Sequence, residues 1–227
     1  MDYKNSLLVT IIFLAFTVLH SLFLTEWAKG FAQRFFGRLF MKVFYRFAYT
    51  CFSTLTLGVA VRLILNIPDT PHFVLPPYLK AVFIFLQIVG GIILILPFRY
   101  VSIFEFVGIS QIYRYVKYKQ PEGGEDGLTE DGLAGNTLII NGIYGVVRHP
   151  MYLGSIIAVT FSTYLTRNFI LISLLSVLYF IFGSMLEEKR LIKQFGNQYI
   201  EYQKTVPRLL PGMKGLRELL SNKPDKP

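Results

Sequence analysis

Long apolar stretches separated by short basic segments dominate this chain. They cover residues 6–24, 44–67, 78–98, 152–165 and 169–186. A helix needs about 20 apolar residues to cross the hydrocarbon core of a bilayer. The first three stretches meet that length, whereas the fourth is short for a full crossing. The pattern therefore predicts an all-α integral membrane protein with about five transmembrane helices.

The basic residues indicate an orientation for these helices. Most of the 23 Lys and Arg residues follow the first, third and fifth stretches, and such residues concentrate on the cytoplasmic side of a membrane. We therefore expect a multi-pass protein of a bacterial inner membrane, with its N-terminus outside and its C-terminus in the cytoplasm. The N-terminal apolar run has no basic region before it and no small-residue cleavage site after it, which favours a retained helix over a signal peptide.

The same pattern divides the chain by role. Residues 1–98 are predicted to form a three-helix membrane region, and residues 99–227 a catalytic region with a cytoplasm-facing C-terminal segment. Residues 120–135 are acidic and rich in glycine, which is typical of a solvated linker, although their position also suits a lid. The tail after Pro211 has few apolar residues and is predicted to end disordered.

Composition excludes several classes of protein. Hydrophobic residues make up 53% of the chain and charged residues 16%, whereas about a quarter of a soluble domain is charged. The net charge of +9 lies beside apolar segments, which predicts membrane lipids with anionic headgroups as partners and no nucleic acid. The single cysteine, Cys51, excludes an internal disulfide, and the three scattered histidines predict no metal site.

Two polar runs lie on the predicted cytoplasmic side. Residues 142–154 read GIYGVVRHPMYLG, and residues 187–211 read EEKRLIKQFGNQYIEYQKTVPRLLP. Ionisable groups at a membrane boundary are costly and usually mark function. Glu187 and Glu188 fall at the predicted C-terminus of a helix, where the macrodipole disfavours carboxylates. That misplacement favours a functional role for at least one of them, the plain alternative being ion pairs with basic residues one turn away.

Together the two runs resemble the isoprenylcysteine carboxyl methyltransferase superfamily, which also includes phospholipid N-methyltransferases and methanethiol S-methyltransferases. The shared pattern is G-x-Y-x-x-x-R-H-P-x-Y-x-G, a helix hairpin, E-E, F-G-x-x-Y-x-x-Y and V-P-x-x-x-P. His20, Ser21 and the segment FEFVGISQIYRYVK at 104–117 look like the methanethiol S-methyltransferase branch and its NnrU-like relatives. The carboxyl methyltransferases carry an arginine for the substrate carboxylate where this chain has Gly183, which argues against a carboxylate substrate.

The resemblance implies S-adenosylmethionine as the methyl donor. The expected acceptor is a small hydrophobic thiol, with methanethiol giving dimethyl sulfide. A prenylated cysteine carboxylate or another lipid-like substrate such as a phospholipid amine is the alternative within the superfamily. A non-catalytic NnrU-like membrane protein is the rival outside it.

The resemblance also implies roles for individual residues. The backbone of the segment NTLI would contact the donor, Tyr144 and Tyr152 would face its cationic group, and Glu187 would hold ribose hydroxyls or the ammonium group. The predicted cofactor-binding residues are Asn136, Thr137, Leu138, Ile139, Tyr144, His149, Pro150, Met151, Tyr152 and Glu187.

The predicted catalytic residues are Arg148, His149 and Glu188. Arg148 would hold the donor's carboxylate or brace the loop. The acceptor of the thiol proton is left open between His149, Glu188 and a water. Several plainer roles stand beside these: Tyr144 and Tyr152 would suit an aromatic belt, and Tyr199 and Tyr202, at helical spacing, would pack the C-terminal helix on the hairpin.

Overall fold

The computed structural model describes residues 3–71, 73–119 and 137–212. The acidic segment predicted as a linker or lid, Asn136 and nearly all of the tail predicted as disordered lie outside the described residues. Within the described ranges the secondary structure is helical apart from one isolated β-bridge. The α-helices there are α1 Tyr3–Leu22, α2 Glu26–Val43, α3 Tyr45–Leu65, α4 Pro77–Ile95, α5 Ile103–Phe106, α6 Ile109–Tyr118, α7 Pro150–Thr160, α8 Arg167–Phe195 and α9 Asn197–Thr205. Short 3₁₀ turns cover Leu96–Arg99 and Gly142–Gly145.

Four helical segments are long and apolar enough to cross a membrane, namely α1, α3, α4 with its 3₁₀ extension, and α8. The all-α prediction is therefore confirmed, and the chain has the helices of a membrane protein. The fourth predicted span contains α7, which has 11 residues and measures about 16 Å along its axis. A helix of that length cannot cross a core of about 30 Å by itself.

Two predicted boundaries were wrong. The basic connector after the first span forms a helix, α2, because Thr25 caps its N-terminus by accepting a hydrogen bond from the Ala28 amide at 3.2 Å. The last apolar helix does not end near residue 186 but continues to Phe195. Glu187 and Glu188 thus lie about two turns before the C-terminus of α8, so the macrodipole argument for their function fails, since that effect fades within the last turn.

The chain forms two compact units. The first comprises Met1–Asp69 and Val101–Gly135, and the second Thr70–Tyr100 and Asn136–Pro227. In the first unit α3 packs on α1 and α2, and α2 also contacts α6. The buried Arg46 at the start of α3 donates to the Phe106 carbonyl at 2.7 Å. The predicted division at residue 98 concerns function and stays a prediction.

In the second unit α4 and α7 approach each other through their backbones. A Cβ atom placed on Gly90 would lie 2.8 Å from the Ala158 amide nitrogen, and one placed on Gly154 would lie 2.6 Å from the Gly90 carbonyl oxygen. Glycine at both positions permits this approach, as small residues do between membrane helices. The Gln87 side chain adds a hydrogen bond to the Ala158 carbonyl at 3.2 Å.

The chain beyond α7 continues alongside α4 in the opposite direction. Phe161 meets Phe83 edge-on, with ring centroids 5.5 Å apart. Farther along, the Leu165 carbonyl accepts from the Phe73 amide at 3.3 Å, and Thr166 forms the isolated bridge with Pro71. The loop between α7 and α8 therefore lies beside the loop that precedes α4.

Candidate active site

Main-chain hydrogen bonds join the two polar runs. The Arg148 amide donates to the Pro207 carbonyl at 2.9 Å, and the His149 amide donates to the Arg208 carbonyl at 3.2 Å. Pro150 is the first residue of α7, where a proline needs no amide hydrogen and its fixed φ suits the helix. The segment RHP is consequently held between the start of α7 and the chain that follows α9.

The guanidinium of Arg148 forms a buried ion pair with α8. Its Nε and Nη2 atoms lie 2.7 and 2.6 Å from Glu188 Oε1. Its Nη1 atom donates to the Gln203 carbonyl at 3.0 Å and also to the Val206 carbonyl. A buried charge is tolerated only where it is paired and hydrogen-bonded, and Arg148 meets this condition with groups from three parts of the second unit. This geometry agrees with the bracing role that was one of its two predicted roles.

Glu188 uses both of its carboxylate oxygens. Oε1 accepts from Arg148, and Oε2 accepts from Gln203 Nε2 at 3.2 Å and from Arg208 Nε and Nη2 at 3.0 and 2.8 Å. A carboxylate offers about four acceptor positions, so this set of donors fills them. The geometry favours a positioning role for Glu188 over proton transfer.

His149 lies between the two carboxylates of α8. Its Nδ1 atom is 3.5 Å from Glu187 Oε2, and its Nε2 atom is 3.4 Å from Glu188 Oε1. The imidazole and both carboxylates are almost fully buried. The ring of Tyr152, in the first turn of α7, lies beside the imidazole with centroids 5.6 Å apart. A buried imidazole and a buried carboxylate therefore lie beside a half-buried aromatic ring.

Two tyrosines of α9 enclose the other side of the cluster. Tyr199 and Tyr202 pack with Leu138, Leu191 and Val206, as the packing alternative predicts. The Tyr202 hydroxyl also donates to the Tyr144 carbonyl at 2.6 Å. The Tyr199 hydroxyl is buried and has no hydrogen-bond partner among the described residues. Burial, reinforced by the nearby Glu188 carboxylate, raises the pKa of Tyr199, so its phenol stays neutral and can donate.

Comparison with known proteins identifies the family of this chain. The family model described as Phospholipid methyltransferase matches residues 86–198, which include the RHP segment and the acidic pair. A Methanethiol S-methyltransferase of Pseudomonas sp. (strain GM41(2012)) is 30% identical over 81% of this chain and 67% of its own length. The chain belongs to the methyltransferase family that includes this Pseudomonas protein. The resemblance drawn from the two polar runs is thereby confirmed.

Two further members of the family match shorter stretches. A Methanethiol S-methyltransferase of Pseudomonas deceptionensis is 34% identical over 55% of this chain and 42% of its own length. A Protein-S-isoprenylcysteine O-methyltransferase of Schizosaccharomyces pombe is 38% identical over 33% of each chain. The matched part of the first of these is less than half of that protein. No solved structure matches this chain significantly.

Within this family member, the structure brings together four of the predicted residues directly, Arg148, His149, Glu187 and Glu188, and places Tyr152 beside them. Leu138 packs on Tyr199 and Tyr202 of α9, and the Tyr144 carbonyl accepts a hydrogen bond from the Tyr202 hydroxyl. Thr137 is exposed, Ile139 and Met151 are half-buried, and Asn136 lies outside the described residues. Whether these residues bind a donor stays a prediction. Among the described residues no group of three or more His, Cys, Asp or Glu side chains has an arrangement that could hold a metal ion.

Sequence reasoning missed two members of the network, Gln203 and Arg208. Arg208 stands inside the run V-P-R-L-L-P and was counted only as a topology charge. The signal that could have identified it is its position directly after Pro207, in the run that mirrors R-H-P. Gln203 gives no comparable signal, because a glutamine on a short polar helix is ordinarily solvated.

Gly183 lies one turn before Glu187 on the same face of α8. A Cβ atom there would have the Tyr152 hydroxyl as its nearest neighbour, at 3.7 Å, which is ordinary van der Waals contact. The backbone thus leaves room for a Cβ atom, which would point toward Tyr152. The glycine is not imposed by close packing.

Proposed function

We propose that this chain is a membrane methyltransferase that uses S-adenosylmethionine to methylate a small thiol, with methanethiol as the first candidate and dimethyl sulfide as the product. The observation that carries the proposal is the group formed by the buried side chains of Glu187 and His149 and the half-buried ring of Tyr152, built from the family's own motif. Two relatives that bear the name Methanethiol S-methyltransferase support the choice of acceptor.

The side chains present suit such a donor. S-adenosylmethionine supplies an activated methyl group on a sulfonium cation when it is bound. Glu187 is only 3% exposed, and a buried carboxylate is suited to ribose hydroxyls or to an ammonium group. The Tyr152 ring offers a face to a cation. Leu138, in the segment predicted to contact the donor through its backbone, is buried on Tyr199 and Tyr202.

Arg148, Glu188 and Arg208 act as positioning residues in this proposal. Methyl transfer needs alignment and a dry cavity more than covalent chemistry from the protein. The ion pairs fix the His149 backbone and close this part of the unit to water. His149 is then the proposed acceptor of the thiol proton, because the oxygens of Glu188 are already taken by guanidinium and amide donors.

Gly183 sets the chemical class of the acceptor. The carboxyl methyltransferases carry an arginine at this point of the motif, and an arginine recognises a carboxylate through a fork of donors. Here that fork is missing from α8 and the Tyr152 hydroxyl faces the space instead. A neutral or thiol-bearing acceptor fits this arrangement better than a carboxylate.

The proposed topology has five crossings. Four are made by the long apolar helices, and the fifth by α7 together with the non-helical residues 161–166. That segment runs beside α4 from Gly154 near Gly90 to Thr166 at Pro71. Six residues add at most about 20 Å to the roughly 16 Å of α7, so the upper limit of the combined length exceeds a core of about 30 Å. The N-terminus then lies outside and the active site faces the cytoplasm of a bacterial inner membrane.

The family description also favours a second candidate, a phospholipid amine as acceptor. The experiment that separates the candidates uses the purified full chain in detergent with methyl-labelled S-adenosylmethionine. Methanethiol, a prenylcysteine analogue and phosphatidylethanolamine are offered in parallel. We expect volatile label from methanethiol alone. Label in either of the other two compounds overturns methanethiol as the acceptor. If the protein does not bind S-adenosylmethionine, the proposed methyltransferase activity is overturned.

Two variants locate the site in the same assay. Glu187→Gln removes the buried charge and is expected to weaken donor binding at least tenfold, whereas Glu201→Gln, at an exposed carboxylate of α9, leaves binding unchanged. Gly183→Arg is expected to lower methanethiol turnover and to allow a prenylcysteine carboxylate to compete. If Glu187→Gln binds donor as the wild type does, the assignment of this cluster is wrong.

A further inference from the structure

Helix α2 carries a row of exposed aromatic rings. Trp27, Phe31 and Phe35 follow one another at four-residue spacing and are 71%, 52% and 71% exposed. Their ring centroids are 6.0 and 4.5 Å apart along the helix. Soluble surfaces rarely expose contiguous apolar patches of this kind unless a partner or a membrane covers them.

The same helix carries a row of exposed cations. Arg34 lies before the interruption of the helix at Gly37, Arg38 and Lys42 lie after it, and all three are exposed. Lys29 differs from them, because it pairs with Glu26 at 3.0 Å and its side chain is only 15% exposed. Four basic residues in 18 are too many for a helix that crosses a bilayer, but they are typical of one that lies on its surface.

Both ends of α2 are tied to the same surface of the membrane. The span α1 ends at Leu22, and the Thr25 amide closes a tight turn on the Leu22 carbonyl at 3.0 Å before α2 begins. At the other end only Phe44 separates α2 from the span α3. Since α1 and α3 leave and re-enter the bilayer at these points, the helix between them must lie close to the headgroups.

The neighbouring helix of this unit has the same character. Helix α6 contacts α2, and the Phe44 and Tyr115 rings meet with centroids 6.3 Å apart. Tyr113 and Val116 are exposed, and the Lys117 ammonium lies 5.6 Å from the centre of the Tyr113 ring. Aromatic and cationic side chains thus extend from α2 onto α6.

We propose that α2 lies in the headgroup layer of the membrane and binds anionic phospholipid. Its aromatic row, Trp27 to Phe35, enters the boundary of the acyl chains, and its cationic row, Arg34 to Lys42, engages lipid phosphates. The kink at Gly37, where φ is +80°, lets residues 38–43 follow the surface toward α3. The occupant is identified by charge complementarity and by the tethering of both helix ends.

Trp27 makes a direct test possible, because it is the sole tryptophan in the chain. The full protein is reconstituted in phosphatidylcholine vesicles that contain lipid brominated on the acyl chains close to the headgroup, and its tryptophan emission is measured. We expect strong quenching by this lipid and little quenching by aqueous acrylamide. Quenching by acrylamide without quenching by the brominated lipid overturns the interfacial placement. Trp27→Phe supplies the blank.

A second arm tests the choice of lipid. At equal mole fraction, brominated phosphatidylglycerol should quench Trp27 more than brominated phosphatidylcholine, since each basic residue near an anionic surface favours it by about fivefold. Replacement of Arg34, Arg38 and Lys42 by glutamine should remove that excess. The matched control removes the same amount of charge by changing Lys4, Arg62 and Lys80 to glutamine. In this variant the excess quenching by phosphatidylglycerol should remain. Equal quenching by the two lipids in the unmodified protein overturns the anionic preference.

Discussion

Helix α2 and the cluster around Arg148 have similar compositions and opposite structures. Both combine arginine with aromatic residues beside an apolar span. In α2 the cations and rings are exposed, whereas Arg148 is buried against Glu188 and two backbone carbonyls. The difference lies in the partners: the cluster has a buried acidic pair on a neighbouring helix, while the acidic residue of α2, Glu26, is itself exposed.

This contrast shows why composition alone does not separate a lipid-binding surface from an active site. A cation at a membrane boundary gains little from an exposed carboxylate but much from headgroup phosphates. A cation that is removed from water needs a fixed, fully paired position, and that position can then hold other side chains in place. Arg148 holds the RHP segment in this way. The following substitutions test the contrast, beginning with the largest expected effect.

Glu188→Gln should be the most damaging single change. It removes the charge that pairs with Arg148 and Arg208, and breaking one side of a buried ion pair costs about 3–5 kcal/mol. We expect a large fall in the melting temperature of the detergent-solubilised protein and loss of methyl transfer. The thermal melt should be followed with and without donor.

The matched substitution in α2 is Glu26→Gln. This carboxylate is 88% exposed and pairs with Lys29 one turn away, so its loss should cost less than about 1 kcal/mol. If the two variants melt at similar temperatures, the ion pairs of Arg148 and Arg208 with Glu188 do not stabilise the protein as buried pairs should. The contrast between the two regions then fails.

Motif spacing predicted which side chains lie together, but not all of the contacts that hold them. The residues R-H-P and E-E were expected to converge because both lie at one end of a helix hairpin, and His149, Glu187 and Glu188 do meet. The role of Arg208 was missed, because it depends on the chain after α9 returning beside His149. No local pattern encodes such a return between positions 59 residues apart, such as His149 and Arg208.

The same limit explains the errors in the fold. Apolar length located the first three spans and the start of α8 to within a few residues, since crossing a bilayer imposes a minimum length. Helix α2 was missed because its charges suggested a loop, although apolar residues recur at positions 27, 28, 31, 35 and 39 after the cap Thr25. The end of α8 was placed too early, because the prediction stopped at the first charges and not at the break before Gly196.

Gly90→Ala should have the next largest effect. The new Cβ atom would lie 2.8 Å from the Ala158 amide nitrogen and 2.9 Å from the Gly154 carbonyl oxygen, which are backbone atoms that cannot move aside separately. Such overpacking costs about 1–3 kcal/mol. Since α7 begins at Pro150, directly after His149, separation of α4 from α7 should also reduce methyl transfer.

Its control is the adjacent residue on the same helix. A Cβ atom on Gly91 meets nothing within 4 Å, so Gly91→Ala should be neutral or slightly stabilising, as alanine favours the helix. Melting curves and donor affinity are measured for both variants. Equal behaviour of the two alanines would mean that α4 and α7 do not touch at Gly90, and the proposed fifth crossing would lose its main contact.

The smallest effect is expected at the two tyrosines of α9, where the hydroxyls differ while the rings share one environment. Tyr202→Phe removes the donor to the Tyr144 carbonyl and should cost about 1 kcal/mol, because a buried acceptor loses its partner. Tyr199→Phe removes a hydroxyl that is buried without a partner among the described residues, so we expect it to be at least as stable as the wild type. The affinity for S-adenosylmethionine distinguishes a packing role of Tyr199 from a role in binding the donor. If Tyr199→Phe binds the donor normally, Tyr199 only packs on Leu138. If a fully stable Tyr199→Phe variant binds the donor more weakly, the hydroxyl is part of the donor site.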